Sequence, residues 1–135
     1  MNPLNPLFNA AGRVLIAAIF VISGVGKISA YEGTQAYMDS MGVPGAMLPV
    51  VIAFEILAGL AVALGWQARV AAFLLAGFSL VTAVMFHGEL GDPMQSILFW
   101  KNVAIAGGFL FIVANGAGPW SVDQRLGRVN VKEAV

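Results

Sequence analysis

The sequence predicts an all-α membrane protein. It reads as a four-transmembrane-helix bundle with both termini inside and a short interfacial helix between spans one and two. Three observations carry that expectation. Apolar types make up 59% of the 135 residues and charged types only 10%, far less charge than a soluble domain needs to cover its surface. Four stretches each supply roughly 20 mostly apolar residues, the length that crosses a hydrocarbon core. The basic residues collect on one side of those stretches.

The first span covers about residues 13–30 and is interrupted only by Ser23 and Lys27. It could also be read as a cleaved signal peptide, with one positive charge, an apolar middle and small residues near Ala30. Lys27 at the end of the apolar region, and three further spans, favour a retained helix. Residues 31–46 have room for one short helix over about 34–41, where Tyr37, Met38 and Met41 share an apolar face. Gly42 then suits a helix C-cap and Pro44 a stop. The second span, about 47–66, holds a single charge, Glu55. The turn that follows is too short for anything but an antiparallel hairpin into the third span, about 68–87. Gly88, Gly91 and Pro93 mark an irregular turn. The fourth span, about 96–114, carries Lys101 and Asn102 near its start. Residues 115–135 form a cytoplasmic tail. Residues 1–135 therefore make one membrane domain, with no internal repeat.

Orientation follows from charge. Arg13, Arg69, Arg125, Arg128 and Lys132 fall on the side shared by the termini and the second turn, while Lys27 and Lys101 fall on the other. The positive-inside rule then puts both termini in the cytoplasm. The formal net charge is zero, so no nucleic-acid partner is expected. The absence of cysteine excludes disulfides, thiol chemistry and cysteine-ligated clusters. A metal site would have only His87, Glu89 and Asp92 to draw on, and none is expected. There is no phosphate-cradling loop, nucleophile elbow or zincin motif.

The informative residues are the polar ones inside the spans. A charge at the bilayer centre costs on the order of 2.5–3.5 kcal/mol on insertion scales, so such groups face the bundle interior and partner one another. At ~1.5 Å rise per residue, Lys27 lies roughly 21 Å from Arg13, and Glu55 roughly 16 Å from Trp66. Lys101 and Asn102 lie roughly 20 Å before Asn115, and His87 roughly 27 Å past Arg69. Four helices thus place Lys27, Glu55, His87, Lys101 and Asn102 in one layer, in the outer half of the membrane. Lys27 with Glu55 is the favoured pair, and Lys101 competes for the same carboxylate. Two readings stand beside a ligand pocket: an ion pair that only fixes helix register, and a Lys27 stem that snorkels to the interface. Two cations against one anion would attract an anionic or carbonyl-bearing group.

The chain resembles the DoxX family of small bacterial membrane proteins over nearly its whole length. The matching parts are Arg13, the Ser23-Gly24-x-x-Lys27 segment, Gly42-x-Pro44, Glu55 followed by Gly59, Leu64-Gly65 with Arg69, and His87. The tail Gly116-Ala117-Gly118-Pro119-Trp120-Ser121-Val122-Asp123 is similar to the family's ending: Gly-x-Gly, an aromatic, Ser, a hydrophobic residue and Asp. The resemblance implies a four-helix membrane bundle in a bacterial inner membrane. It also implies an association with quinone-linked thiosulfate oxidation or membrane redox complexes, in which some relatives take part. The tail residues Gly116, Gly118, Ser121 and Asp123 also have a plain structural reading, with Ser121 and Asp123 bonding backbone groups around a turn.

The resulting functional expectation is an accessory membrane subunit that binds a quinone or other lipophile. Lys27, Glu55, His87, Lys101 and Asn102 are its ligand-binding or proton-relay candidates, and quinone is the candidate cofactor. With no electron-transfer motif of its own, such a subunit would need a membrane or peripheral redox partner. Self-association is compatible with the sequence. The alternative is a scaffold or assembly partner whose polar layer only fixes the bundle. A transporter is disfavoured by the small size and the lack of inverted repeats.

Overall fold

The computed structural model describes residues 3–133, with side chains as far as Gly127. Ala134 and Val135 of the expected tail, and the side chains of Arg128 and Lys132, lie outside the described residues. Helices alone make up its regular structure: α1 (Asn5–Ser29), α2 (Tyr31–Ser40), α3 (Leu48–Leu64), α4 (Ala68–Phe86), α5 (Pro93–Asn115) and α6 (Val122–Glu133). A single 3₁₀ turn, Gly45–Met47, leads into α3. Four segments, Asn5–Ser29, Gly45–Leu64, Ala68–Phe86 and Pro93–Asn115, are long and apolar enough to cross a membrane.

Two of the expected boundaries shift. The first helix starts at Asn5, eight residues before Arg13, so Arg13 lies inside the helix rather than at its edge. The short helix between the first two spans begins at Tyr31 instead of near 34 and ends at Ser40. Gly42 (φ +80°) then turns the chain, and Val43 N–H donates to Met38 O at 2.9 Å. The left-handed φ is what a glycine after a helix supplies at no steric cost. Residues read as plain tail form α6.

Packing divides the spans into two close pairs, α1 against α3 and α4 against α5. α3 and α4 meet less closely, and α1 meets α5 mainly through side chains, Phe20 on Phe109 and Ile16 beside Gly108. The core between the pairs is built from small residues and phenyl rings. Ala17, Val62, Ala72, Leu75 and Phe109 are fully buried. Close approach of α1 and α3 needs Gly24 and Gly59, since a Cβ on Gly24 would sit 2.6 Å from Ile56 Cγ1 and one on Gly59 3.0 Å from Val21 Cγ2. Phe20 meets Phe109 with ring centroids 5.4 Å apart and Phe78 at 6.3 Å, and Phe78 meets Phe54 at 5.2 Å. These rings fill the middle of the bundle. Outward-facing Leu15, Ile22, Val50, Leu57, Phe73, Val84, Ile97 and Phe111 are exposed, as residues in contact with lipid should be.

The end of the bundle near Arg13 is held by backbone capping. α3 closes with Gly65 at φ +74°, where Trp66 N–H donates to Ala61 O and Gly65 N–H to Val62 O. This Schellman arrangement still leaves a carbonyl of the last turn without a partner. The Arg13 guanidinium supplies it, donating to Ala63 O at 2.8 Å and Val62 O at 3.3 Å, and also to Trp120 O. Arg69 does the same for α5, reaching Val113 O and Ala114 O. Two arginines thus complement the negative ends of two helix dipoles.

Candidate functional site

Beyond the phenyl cluster, at the Lys27 end of the bundle, α1, α2, α3, α4 and α5 enclose a cavity of about 320 Å³. Its walls are largely apolar, with Ile19, Phe20, Val51, Phe78, Met85 and Ile105 among them. Lys27, Glu55, His87, Lys101 and Asn102 all line it, so the layer expected from depth alone is one shared surface. Past the Phe20–Phe109 contact, few residues of α1 and α5 approach each other on that side of the cavity.

The Lys27–Glu55 pair sits where α1 crosses α3. Lys27 Nζ donates to Glu55 Oε1 at 3.0 Å and Oε2 at 3.1 Å, and to Ser23 Oγ at 2.7 Å. Ser23 lies one helical turn before Lys27, which puts hydroxyl and amine on one face. The Glu55 residue is only 3% exposed. A carboxylate so deep needs its charge matched, and the ammonium held between both oxygens does that. Lys27 therefore pairs and does not snorkel.

Lys101 does not compete for Glu55. Lys27–Glu55 is the one ion pair among the described residues, and Lys101 stands exposed along the cavity without a hydrogen bond there. Its neighbour Asn102 turns toward α4, where its Nδ2 donates to Thr82 Oγ1 at 3.1 Å. Thr82 in turn reaches back to Phe78 O and Ser79 O. His87 sits just past the end of α4 with Nδ1 2.9 Å from Gln95 Oε1. In that arrangement Nδ1 carries the proton and Nε2 is left for another partner. Thr82 and Gln95 carry no signal in the sequence, and Ser23 stands there only as a break in the first span and part of the family pattern, not as a site residue. Each is a common polar residue in an ordinary helical position, and only its partner reveals it.

α2 covers the Lys27 end of the cavity. Tyr37 stacks on Phe86 at 5.6 Å, and Met38 is buried against Leu48 and Ile52. Asp39 Oδ1 accepts from Gly45 N–H at 2.7 Å, and Gln35 Nε2 donates to Gly45 O, which ties α2 to the turn before α3.

The tail motif stands at the opposite end and serves a different purpose. Asp123 does not merely stabilise its own turn. It accepts from Gln67 N–H at 2.7 Å and Ala68 N–H at 2.9 Å, so it caps α4 from 55 residues away. Its own N–H donates to Gly65 O. Ser121 accepts from Gln124 N–H and donates to Gly118 O, which starts α6. Gly116 and Gly118 have φ of +78° and +84°, and a Cβ on Gly116 would lie 3.2 Å from Arg69 Nη2. The motif is a clasp between tail and the α3–α4 turn, not part of the cavity.

The DoxX family model matches residues 8–88, well over half of the chain. The chain belongs to the DoxX family. It is 42% identical over 128 residues to the inner membrane protein YqjF of Escherichia coli K12, covering 95% of this chain and 98% of that one. Inner membrane protein YphA of the same organism is 38% identical, with 89% and 91% covered. A protein named "Putative oxidoreductase CatD" from Bacillus subtilis strain 168 is 33% identical over 73 residues, 54% of each chain. No solved structure matches the chain. Together with four apolar helices, these relatives make this DoxX protein a multi-pass inner-membrane protein. Both the cavity residues Lys27 and Glu55 and the capping residue Arg13 fall inside the matched region. The tail clasp and the α5 wall of the cavity lie beyond it.

Proposed function

We propose that this DoxX protein is an accessory membrane subunit that holds a carbonyl-bearing lipophile, with quinone as the candidate, in the cavity at the Lys27 end. The cavity itself carries the proposal. Its volume of about 320 Å³ is at the lower end of what small-molecule sites occupy, enough for a ring head group with its tail left in lipid. Aromatic walls suit a flat ring, and the Lys101 ammonium and the Asn102 amide are donors suited to carbonyl oxygens. The thinly packed α1–α5 side offers lateral access from the bilayer. A bound quinone would supply the redox chemistry, while this chain supplies donors, a dry surrounding and Glu55 and His87 as proton-exchange groups. Electrons would come from a membrane or peripheral partner, and the oxidoreductase name of the Bacillus relative supports that association.

Purified protein in mild detergent should carry a specific lipophile, identified by mass spectrometry, in the wild type and in far smaller amount in the Lys101→Met, Asn102→Leu double variant, which removes both carbonyl donors. Recovery of no specific molecule from either would sink the proposal. The Lys27–Glu55 pair, satisfied without any ligand, favours the second reading, a scaffold whose polar layer fixes α1 against α3. Retention of every cellular activity by the Lys27→Met, Glu55→Gln double variant would decide for the scaffold.

Both termini are proposed to face the cytoplasm, from the basic bias of the sequence. Reporters fused at Gly91 and at Val135 should then read periplasm and cytoplasm respectively. The reversed pattern would invert the assignment.

A further inference from the structure

The charges around the cavity do not cancel. Tyr37, Lys27, Glu55, His87 and Lys101 are the ionisable groups that line it. Lys27 and Glu55 neutralise each other at 3.0 Å, and His87 is engaged by a neutral amide, Gln95. Lys101 is left. Its ammonium makes no hydrogen bond or ion pair with any described residue, although it lies inside a helix long and apolar enough to span a membrane. The nearest loop acids do not serve it. Asp92 is taken by Met94 N–H, and neither Asp92 nor Glu89 lines the cavity. Lys101 is eight residues past Pro93, roughly 12 Å along α5, and its side chain lines the largely apolar cavity. An unpaired ammonium against such apolar walls is costly unless an anion meets it.

We infer that the ligand of this cavity carries a negative charge on its ring head, in the manner of an ionised hydroxyquinone, and that Lys101 is its counter-ion. The inference rests on the lipophile-binding reading above and narrows it from carbonyl-bearing to acidic. An oxygen of the charged head would meet the Lys101 ammonium in a charge-assisted hydrogen bond, stronger than the bond a neutral carbonyl offers. The Lys27–Glu55 pair would set the opposite wall without contributing net charge.

A matched pair of probes tests this in full-length protein in nanodiscs: a 2-hydroxy-3-alkyl-1,4-naphthoquinone, ionised at neutral pH, and its 2-methyl counterpart, which stays neutral. Dissociation constants are read by tryptophan fluorescence quenching. The ionised probe should bind wild type about tenfold more tightly than the neutral one, the difference between a full ion pair with Lys101 and an ammonium–carbonyl hydrogen bond. Lys101→Met should erase that preference, weakening the ionised probe about tenfold more than the neutral one. Equal binding of both probes to wild type, or a preference that survives in Lys101→Met, overturns the acidic-ligand inference while the lipophile site stands. Binding of neither probe to a wild type that is folded by circular dichroism overturns both.

Discussion

Replacing Glu55 with Gln should lower the stability of the protein by about 3 kcal/mol. Breaking a buried ion pair by removing one partner typically costs about 3–5 kcal/mol, because the surviving charge is left without a counter-ion. The lower end applies here. The Lys27 side chain retains 26% exposure, against 4% for Glu55, so the stranded ammonium is less tightly enclosed than the carboxylate. Ser23 Oγ remains as one acceptor for it. The measurement is reversible unfolding in mixed detergent micelles. The double variant Lys27→Met, Glu55→Gln should regain at least half of the loss, since removing both charges removes the uncompensated one. A single variant as stable as wild type, or a double variant worse than the single, would show that the pair does not hold α1 to α3.

Arg13→Ala should be comparably severe, about 3 kcal/mol. Hydrogen bonds to charged groups contribute roughly 1.5–3 kcal/mol each, and Arg13 makes them to carbonyls of Val62, Ala63 and Trp120 while only 4% exposed. Relief from burying the charge returns part of that sum. The guanidinium Nε, buried with no partner, is one such cost. The loss should be local in hydrogen–deuterium exchange, with faster exchange in the last turn of α3 and at Asp123 N–H. Arg13→Lys should not restore protection, because a single ammonium cannot reach both the α3 end and Trp120 as a planar fork does. Full rescue by lysine would mean that charge alone, rather than its geometry, matters at this position.

The parts of this structure that the sequence disclosed are those governed by transfer from water. Apolar runs placed the four long helices to within a few residues at most boundaries, and the cost of a buried charge singled out Lys27 and Glu55 as partners. The same depth reasoning gathered His87, Lys101 and Asn102 around one cavity. It could not rank partners. Lys101 and Lys27 lie at similar depth, and only the crossing of α1 and α3 at Gly24 and Gly59 decides which lysine reaches Glu55. The start of α1 was hidden because Arg13 looked like a membrane edge. A positive charge that satisfies helix-end carbonyls needs no water, so the helix continues past it to Asn5. Asp123 was hidden for a related reason. Its polarity fitted a local turn equally well, and its true partners, Gln67 and Ala68, are distant in sequence.

Arg13, Arg69 and Asp123 fasten all four long helices at one end, whereas past the Phe20–Phe109 contact α1 and α5 are scarcely joined. Mechanically this is a clothes-peg, sprung at the arginine end with its jaws at Lys27. For two rods pivoting about a common fastening, separation grows in proportion to distance from the pivot. A tilt of a few degrees that hardly strains the clasp therefore widens the jaws by an ångström or more over a helix of ~30 Å. Substitutions in the clasp would then tune how readily a bulky molecule slips between α1 and α5, although no residue of the clasp comes near it.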